Sequence, residues 1–214
     1  MRLADLLRGT PYLAYSYAYP HKTAYRRLPH PLPLRELWAS QRRDALFLYL
    51  HIPFCEMRCG FCNLFTTANP RADLPKAYLD TLRREARRTA AALGPARFAR
   101  LAIGGGTPTY LDVAGLHALF DIAQELGADP QSIPVSVETS PKTATPERLR
   151  ALRERGADRI SIGVQSFIEA EAQAAGRPQR TADVVRALEA IREHGFPTLN
   201  IDLIYGIPGQ TVAT

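Results

Sequence analysis

Cys55, Cys59 and Cys62 are the only cysteines of the 214-residue chain. They lie in one stretch, Tyr49-Leu50-His51-Ile52-Pro53-Phe54-Cys55-Glu56-Met57-Arg58-Cys59-Gly60-Phe61-Cys62, spaced C-x3-C-x2-C. Three thiolates on one short loop can hold three irons of a [4Fe–4S] cube. Such a cube normally takes four cysteines. With no fourth, one iron stays open, and an open iron is where a small molecule can bind and be reduced. The same thiolates with His51 as fourth ligand could instead hold zinc. Structural zinc sites usually pair two C-x2-C knuckles, and this chain has one. Disulfides are disfavoured by the odd count and by the lack of a secretory leader.

These residues need a scaffold that delivers them to one place. From residue 46, short apolar runs at Leu46–Ile52, Arg100–Ile103, Val135–Glu138, Arg159–Val164 and Thr198–Ile204 alternate with stretches of helical spacing. Those stretches are Pro75–Leu93, Val113–Leu126, Pro146–Arg155 and Thr181–His194. The alternation predicts an α/β fold of βα units around a parallel sheet, with strands apolar on both faces. In such folds ligands bind where strands run out into loops at their C-terminal ends. The cysteine loop follows the first run, and Gly104-Gly105-Gly106-Thr107-Pro108 the second. Glu138 ends the third, Gln165 follows the fourth, and Asp202 lies in the fifth. Glycines there let the backbone approach a ligand and offer N–H and C=O groups. A carboxylate closing an apolar strand needs partners if buried. Glu138 would find them in ligand hydroxyls or in a salt bridge to Arg159.

Residues 1–45 read as an N-terminal extension lying over a 46–214 core. Pro11, Pro20, Pro29, Pro31 and Pro33 argue against a long helix before Leu34–Gln41. Tyr15, Tyr17 and Tyr19 alternate as in a short edge strand. The composition is that of a globular chain, 46% hydrophobic and 22% charged. No apolar run approaches the roughly 20 residues of a membrane span, and no leader pattern opens the chain, so the expected compartment is the cytoplasm. The net charge of +6 is spread out. Arg83, Arg84, Arg87, Arg88, Arg97 and Arg100 read as a solvated face rather than a nucleic-acid stripe. An anionic small molecule would suit the charge.

The words Tyr49-Leu50-His51-Ile52-Pro53-Phe54-Cys55, Gly104-Gly105-Gly106-Thr107-Pro108-Thr109 and Gly163-Val164-Gln165-Ser166, with the cysteine spacing, resemble the radical S-adenosylmethionine (SAM) superfamily. The match is to the branch of oxygen-independent coproporphyrinogen III oxidases and their relatives, which include a haem chaperone. That resemblance implies a partial (βα)6 barrel of the TIM type, in which a helix and a sixth strand would follow Thr214, so the sequence reads as truncated after the fifth strand. It implies a [4Fe–4S] cluster on Cys55, Cys59 and Cys62. SAM on the open iron is cleaved by one electron to a 5′-deoxyadenosyl radical that takes a substrate hydrogen. Gly105, Gly106 and Thr107 would line the amino-acid end of SAM and Glu138 the ribose. Tyr49, Gln165, Arg177 and Asp202 match further SAM-contact positions, and Phe61 would shield the cluster or pack on adenine. In the oxidase these positions serve two SAM molecules. An electron donor of the flavodoxin or ferredoxin kind is implied, with a porphyrinogen, haem or another small molecule as substrate. One position departs: the oxidase has a further cysteine where this chain has Leu64. The alternative is therefore a haem-binding carrier of the same family without oxidase activity, for which His21, His30 and His51 are candidate axial ligands.

Overall fold

The structure is a computed structural model and describes residues 26–211. The tyrosines at 15, 17 and 19, His21 and most of the N-terminal extension lie outside the described residues. The elements are α1 (Leu34–Leu37), β1 (Leu46–Ile52), β2 (Phe54–Cys55), β3 (Thr67–Ala68), α2 (Leu74–Leu93), β4 (Phe98–Gly105), a 3-10 turn (Pro108–Tyr110), α3 (Val113–Glu125), β5 (Val135–Thr139), α4 (Pro146–Glu154), β6 (Arg159–Gln165), α5 (Glu169–Ala174), α6 (Thr181–Glu193) and β7 (Thr198–Leu203). The five long strands and four long helices fall where the periodicity puts them. The helix expected over Leu34–Gln41 is confined to Leu34–Leu37. Helix α5, too short to show a period, was not expected.

The sheet order is β1-β4-β5-β6-β7, every pair parallel. Each crossover advances one strand in the same direction. Right-handed crossovers then stack the helices on a single face, and α2 packs on α3, α3 on α4 and α4 on α6. This corrects the expectation of strands apolar on both faces. Val135, Val137, Ile160, Ile162 and Val164 are wholly buried beneath the helices. Ser136, Glu138, Ser161, Gly163 and Gln165 alternate with them and face the open, concave side. Phe120, Leu119, Leu149 and Leu152 complete the core from the helix side. Burying each such side chain contributes about 1.5–3 kcal/mol.

Local chemistry sets the helix ends. Asp112 accepts the Gly115 N–H at 2.8 Å and caps α3. Pro75 opens α2, and Gly94 at φ 70° closes it. Arg43 donates to the Leu93 carbonyl at 2.6 Å and Arg35 to Ala91 at 2.9 Å, so the described part of the extension holds the C-terminal end of α2. The arginine-rich face of α2 is only partly a solvated face. Arg83 and Arg87 both reach Glu125 of α3, at 2.9 and 2.8 Å. Among the described residues no helix is long and apolar enough to cross a membrane.

Candidate functional site

The cysteine loop leaves β1 and is closed by a small parallel pair, β2 with β3. Thr67 N–H donates to Pro53 O at 2.6 Å and Asn69 N–H to Cys55 O at 3.0 Å, so both ends of the loop are pinned. Inside it, Cys62 N–H donates to Cys59 O at 3.0 Å. Each thiol meets one polar side chain from a different part of the chain. Thr107 Oγ1 lies 3.6 Å from Cys55 Sγ, Arg177 Nη1 3.5 Å from Cys59 Sγ, and Thr66 Oγ1 3.8 Å from Cys62 Sγ. Burial pushes the Cys55 thiol up, against the pull of the Thr107 hydroxyl.

Gly106 shows why a glycine stands beside this loop. A Cβ there would lie 2.9 Å from Cys55 Sγ and 2.7 Å from Phe54 O, while its N–H donates to Ile52 O at 2.7 Å. Gly105 has φ 114°, a left-handed region that favours glycine, and a Cβ on it would strike the His51 ring at 2.5 Å. The His51 ring is engaged on both nitrogens, with Phe65 O at 2.9 Å and Tyr49 Oη at 3.2 Å. Both ring nitrogens therefore have a partner within the protein. Among the described residues no three His, Cys, Asp or Glu side chains gather around one point as a single ion requires. A cube makes no such demand, because its three thiolates bind three separate irons. The donor set of three thiols on one cavity, each with a hydrogen-bond partner and none with a second thiol bonded to it, fits the cube.

The thiols open into a cavity of about 420 Å³ at the C-terminal ends of the strands, and that is the size of ordinary small-molecule sites. Of the residues expected there, Phe61, Gly105, Gly106, Thr107, Glu138, Gln165, Arg177 and Asp202 all line it with the three cysteines. Tyr49 does not; it stands lower on the concave face, 46% exposed, against His51. Glu138 Oε2 accepts the Gly105 N–H at 2.9 Å, tying β5 to the glycine turn. Its carboxylate is open to the cavity rather than buried, and Arg159 is in register with Ser136 instead. The cavity walls still displace bulk water around it. That desolvation raises its pKa, the Gly105 N–H opposes the rise, and Asp202 adds to it. Asp202 accepts the Asn200 amide at 2.7 Å.

Gln165 has φ 71° at an irregularity of the β6–β7 ladder, and its side chain folds back over Gly163. A non-glycine residue in that region costs about 1–3 kcal/mol and persists only where its surroundings hold it. Arg177 is no loose surface residue. It is half-buried, with Nη2 on Gly163 O at 2.9 Å and Nε on Gln179 Oε1 at 3.4 Å. Leu64, where the resemblance called for a cysteine, is 48% exposed and lines the same cavity.

Sequence reasoning passed over three neighbours. Thr66 serves Cys62 from four residues on. Lys142 Nζ pairs with Glu56 Oε1 at 3.1 Å across the cavity wall. Gln179 clamps the loop after β6, donating to Val164 O at 2.6 Å and Ser166 O at 3.1 Å. One of them carried a usable signal: Lys142 lies in the loop leaving β5, and its partner Glu56 stands between two of the cysteines.

Comparison with known proteins agrees with this geometry. The model of the radical SAM superfamily matches residues 49–214. An oxygen-independent coproporphyrinogen III oxidase of Bradyrhizobium diazoefficiens is 34% identical over 94% of this chain and 47% of its own length. The haem chaperone HemW of Bacillus subtilis is 36% identical over 77% of this chain and 43% of its own. The solved structure of coproporphyrinogen III oxidase (HemN) from Escherichia coli, described as a radical SAM enzyme, superposes with a TM-score of 0.75. It is 33% identical and covers 83% of this chain and 41% of that one. The chain thus spans about half the length of the curated relatives it matches. With the family match running from the strand before the cysteines to the far edge of the sheet, this chain belongs to the radical SAM superfamily.

Proposed function

We propose that Cys55, Cys59 and Cys62 hold a [4Fe–4S] cluster, that SAM binds beside it in the same cavity, and that the protein opens radical chemistry on a small molecule. The observation that supports this is convergence. Three thiols, a glycine turn and the polar ends of three further strands line one cavity. When bound, the cluster and SAM supply one electron and a cleavable sulfonium, the source of a 5′-deoxyadenosyl radical, and so carry the hard chemistry.

The chain's own residues bind, orient and shield. Gly105, Gly106 and Thr107 offer close backbone to the amino-acid end of SAM. Glu138, already oriented by the Gly105 N–H, presents its other oxygen to the ribose hydroxyls. Gln165, Arg177 and Asp202 form the opposite wall, and Phe61 and Leu64 cover the cavity on the loop side. Tyr49 acts on the rim through His51, at one remove from the ligand. No side chain is assigned as a general acid or base. An external one-electron donor of the flavodoxin or ferredoxin kind completes the reaction, and a reducing cytoplasm suits the free thiols.

For the substrate, the relatives named as coproporphyrinogen oxidases support a porphyrinogen, and the net charge of +6 suits a polycarboxylate. Leu64 favours a second reading, a haem carrier like the chaperone relative, since the oxidase resemblance requires cysteine there. The deciding experiment is anaerobic reconstitution with iron and sulfide, then SAM and reductant, with 5′-deoxyadenosine measured with and without coproporphyrinogen III. Stimulated cleavage with loss of carboxyl groups establishes the oxidase. Unstimulated cleavage moves the search to other substrates. An intact cluster with no cleavage, together with stoichiometric haem binding, establishes the carrier.

A further inference from the structure

Each cluster thiol has one polar side-chain partner, but the three partners differ in kind. Thr107 and Thr66 bring neutral hydroxyls to Cys55 and Cys62, whereas Arg177 brings a permanent cation to Cys59. We propose that Arg177 sets the reduction potential of the cluster through its charged hydrogen bond to Cys59 Sγ. The proposal rests on the cluster reading above and extends it to a residue that the family resemblance assigns to SAM alone.

Arg177 is held in place by the protein's own groups. Its backbone N–H donates to Ala172 O at 2.9 Å, closing α5. Its Nη2 is fixed on Gly163 O at 2.9 Å, and its Nε faces Gln179 Oε1, itself part of a side chain clamped on Val164 O and Ser166 O. On the other side, Gly60 N–H donates to Gly176 O at 3.2 Å. The two glycines meet so closely that a Cβ on Gly176 would lie 2.9 Å from the Gly60 backbone. The residue before Arg177 is thus docked on the residue after Cys59. The distance from Nη1 to Sγ is set by backbone contacts on both sides, which is what a fixed tuning contact requires.

The physical consequence follows from charge. Reduction takes one electron from a one-electron donor onto the cluster and its thiolates; no bond breaks and no proton is needed, since a guanidinium stays protonated. A cationic N–H donor on a ligand sulfur favours the more negative, reduced form and raises the potential. Hydroxyl donors do the same more weakly.

The test is an EPR-monitored redox titration of the reconstituted protein without SAM, on wild type, Arg177→Gln, Arg177→Lys and Thr66→Val, each first assayed for iron and sulfide. Arg177→Gln should move the midpoint negative by about 59 mV, a roughly tenfold weaker reduction for a one-electron couple. Arg177→Lys should shift it less, and Thr66→Val less than Arg177→Gln. In D2O, ENDOR should detect in wild type one exchangeable-deuteron coupling that Arg177→Gln lacks, beyond those the Thr107 and Thr66 hydroxyls give in both proteins. A full cluster in Arg177→Gln with the wild-type midpoint and the same deuteron coupling overturns the proposal. If Arg177→Gln takes up no cluster, Arg177→Lys decides: a wild-type midpoint and spectrum there overturn it, a negative shift supports it. Wild-type protein that takes up no iron instead overturns the cluster reading on which the proposal rests.

Discussion

Replacing Gly60 with alanine tests how rigidly the cysteine loop is docked on the turn after α5. The new Cβ would lie 2.9 Å from Ala175 O and 3.2 Å from Gly176 Cα, both backbone atoms that cannot swing aside. Ordinary contact begins near 3.4 Å, so the two segments must part by about half an ångström. Gly60 has no positive φ, so the whole cost comes from contact. Overpacking of this kind costs about 1–3 kcal/mol, which for a chain of this size lowers Tm by about 2–4 °C per kcal/mol. The separation also stretches the Gly60 N–H to Gly176 O bond, and with it the register of Cys59 against Arg177. The expected result is a Tm lower by roughly 2–12 °C and less iron per chain after reconstitution. Gly195→Ala is the control. It has φ 65° and no atom within 4 Å of its Cβ, so it carries backbone strain alone and should leave iron loading unchanged. A Gly60→Ala protein with wild-type Tm and wild-type iron would refute the docking argument.

Four further outcomes are expected. Desolvation by the cavity walls raises the Glu138 pKa, so the stability this group contributes is fully present below its unfolded pKa and is lost as pH rises through the raised folded value. Glu138→Gln should therefore raise the Tm of ligand-free protein at pH 7, with no gain below about pH 4, while weakening SAM binding about tenfold or more; unchanged SAM affinity by equilibrium dialysis would sink the ribose assignment. Thr109, wholly buried, bonds Thr139 and Thr143 at 2.7 Å each. Thr109→Val should cost about 1–3 kcal/mol in urea denaturation, and a loss below about 0.5 kcal/mol would show that the hydroxyl network reconnects. Cys55→Ala, Cys59→Ala and Cys62→Ala should each abolish the brown cluster absorbance, and unchanged iron content in any one removes that residue from the ligand set. Asp112→Ala should cost about 0.5–2 kcal/mol through loss of the α3 cap, read as a lower denaturation midpoint with the cluster intact.

The sequence alone determined what depends on neighbours within a few residues. The cysteine spacing, the glycine turn, the βα alternation and the strand ends carrying Glu138 and Gln165 are local patterns. Periodicity of 2 or 3.6 residues is set by backbone geometry, and the observed strands and long helices follow it. The family was legible for the same reason, since the cysteine loop is a contiguous word. Tertiary structure decided what depends on pairs far apart in the chain. Strand order put the four long helices on one face and left Ser136, Glu138, Ser161, Gly163 and Gln165 on the other, which no single strand could declare. The His51 ring was engaged by a carbonyl 14 residues on and by the Tyr49 hydroxyl beside it. Arg177 came to Cys59 across 118 residues, carried by α5 and the Gly60–Gly176 contact. Such contacts arise only when separate βα units close on one another, because the free energy that selects them comes from packing between units and not from the propensity of either segment.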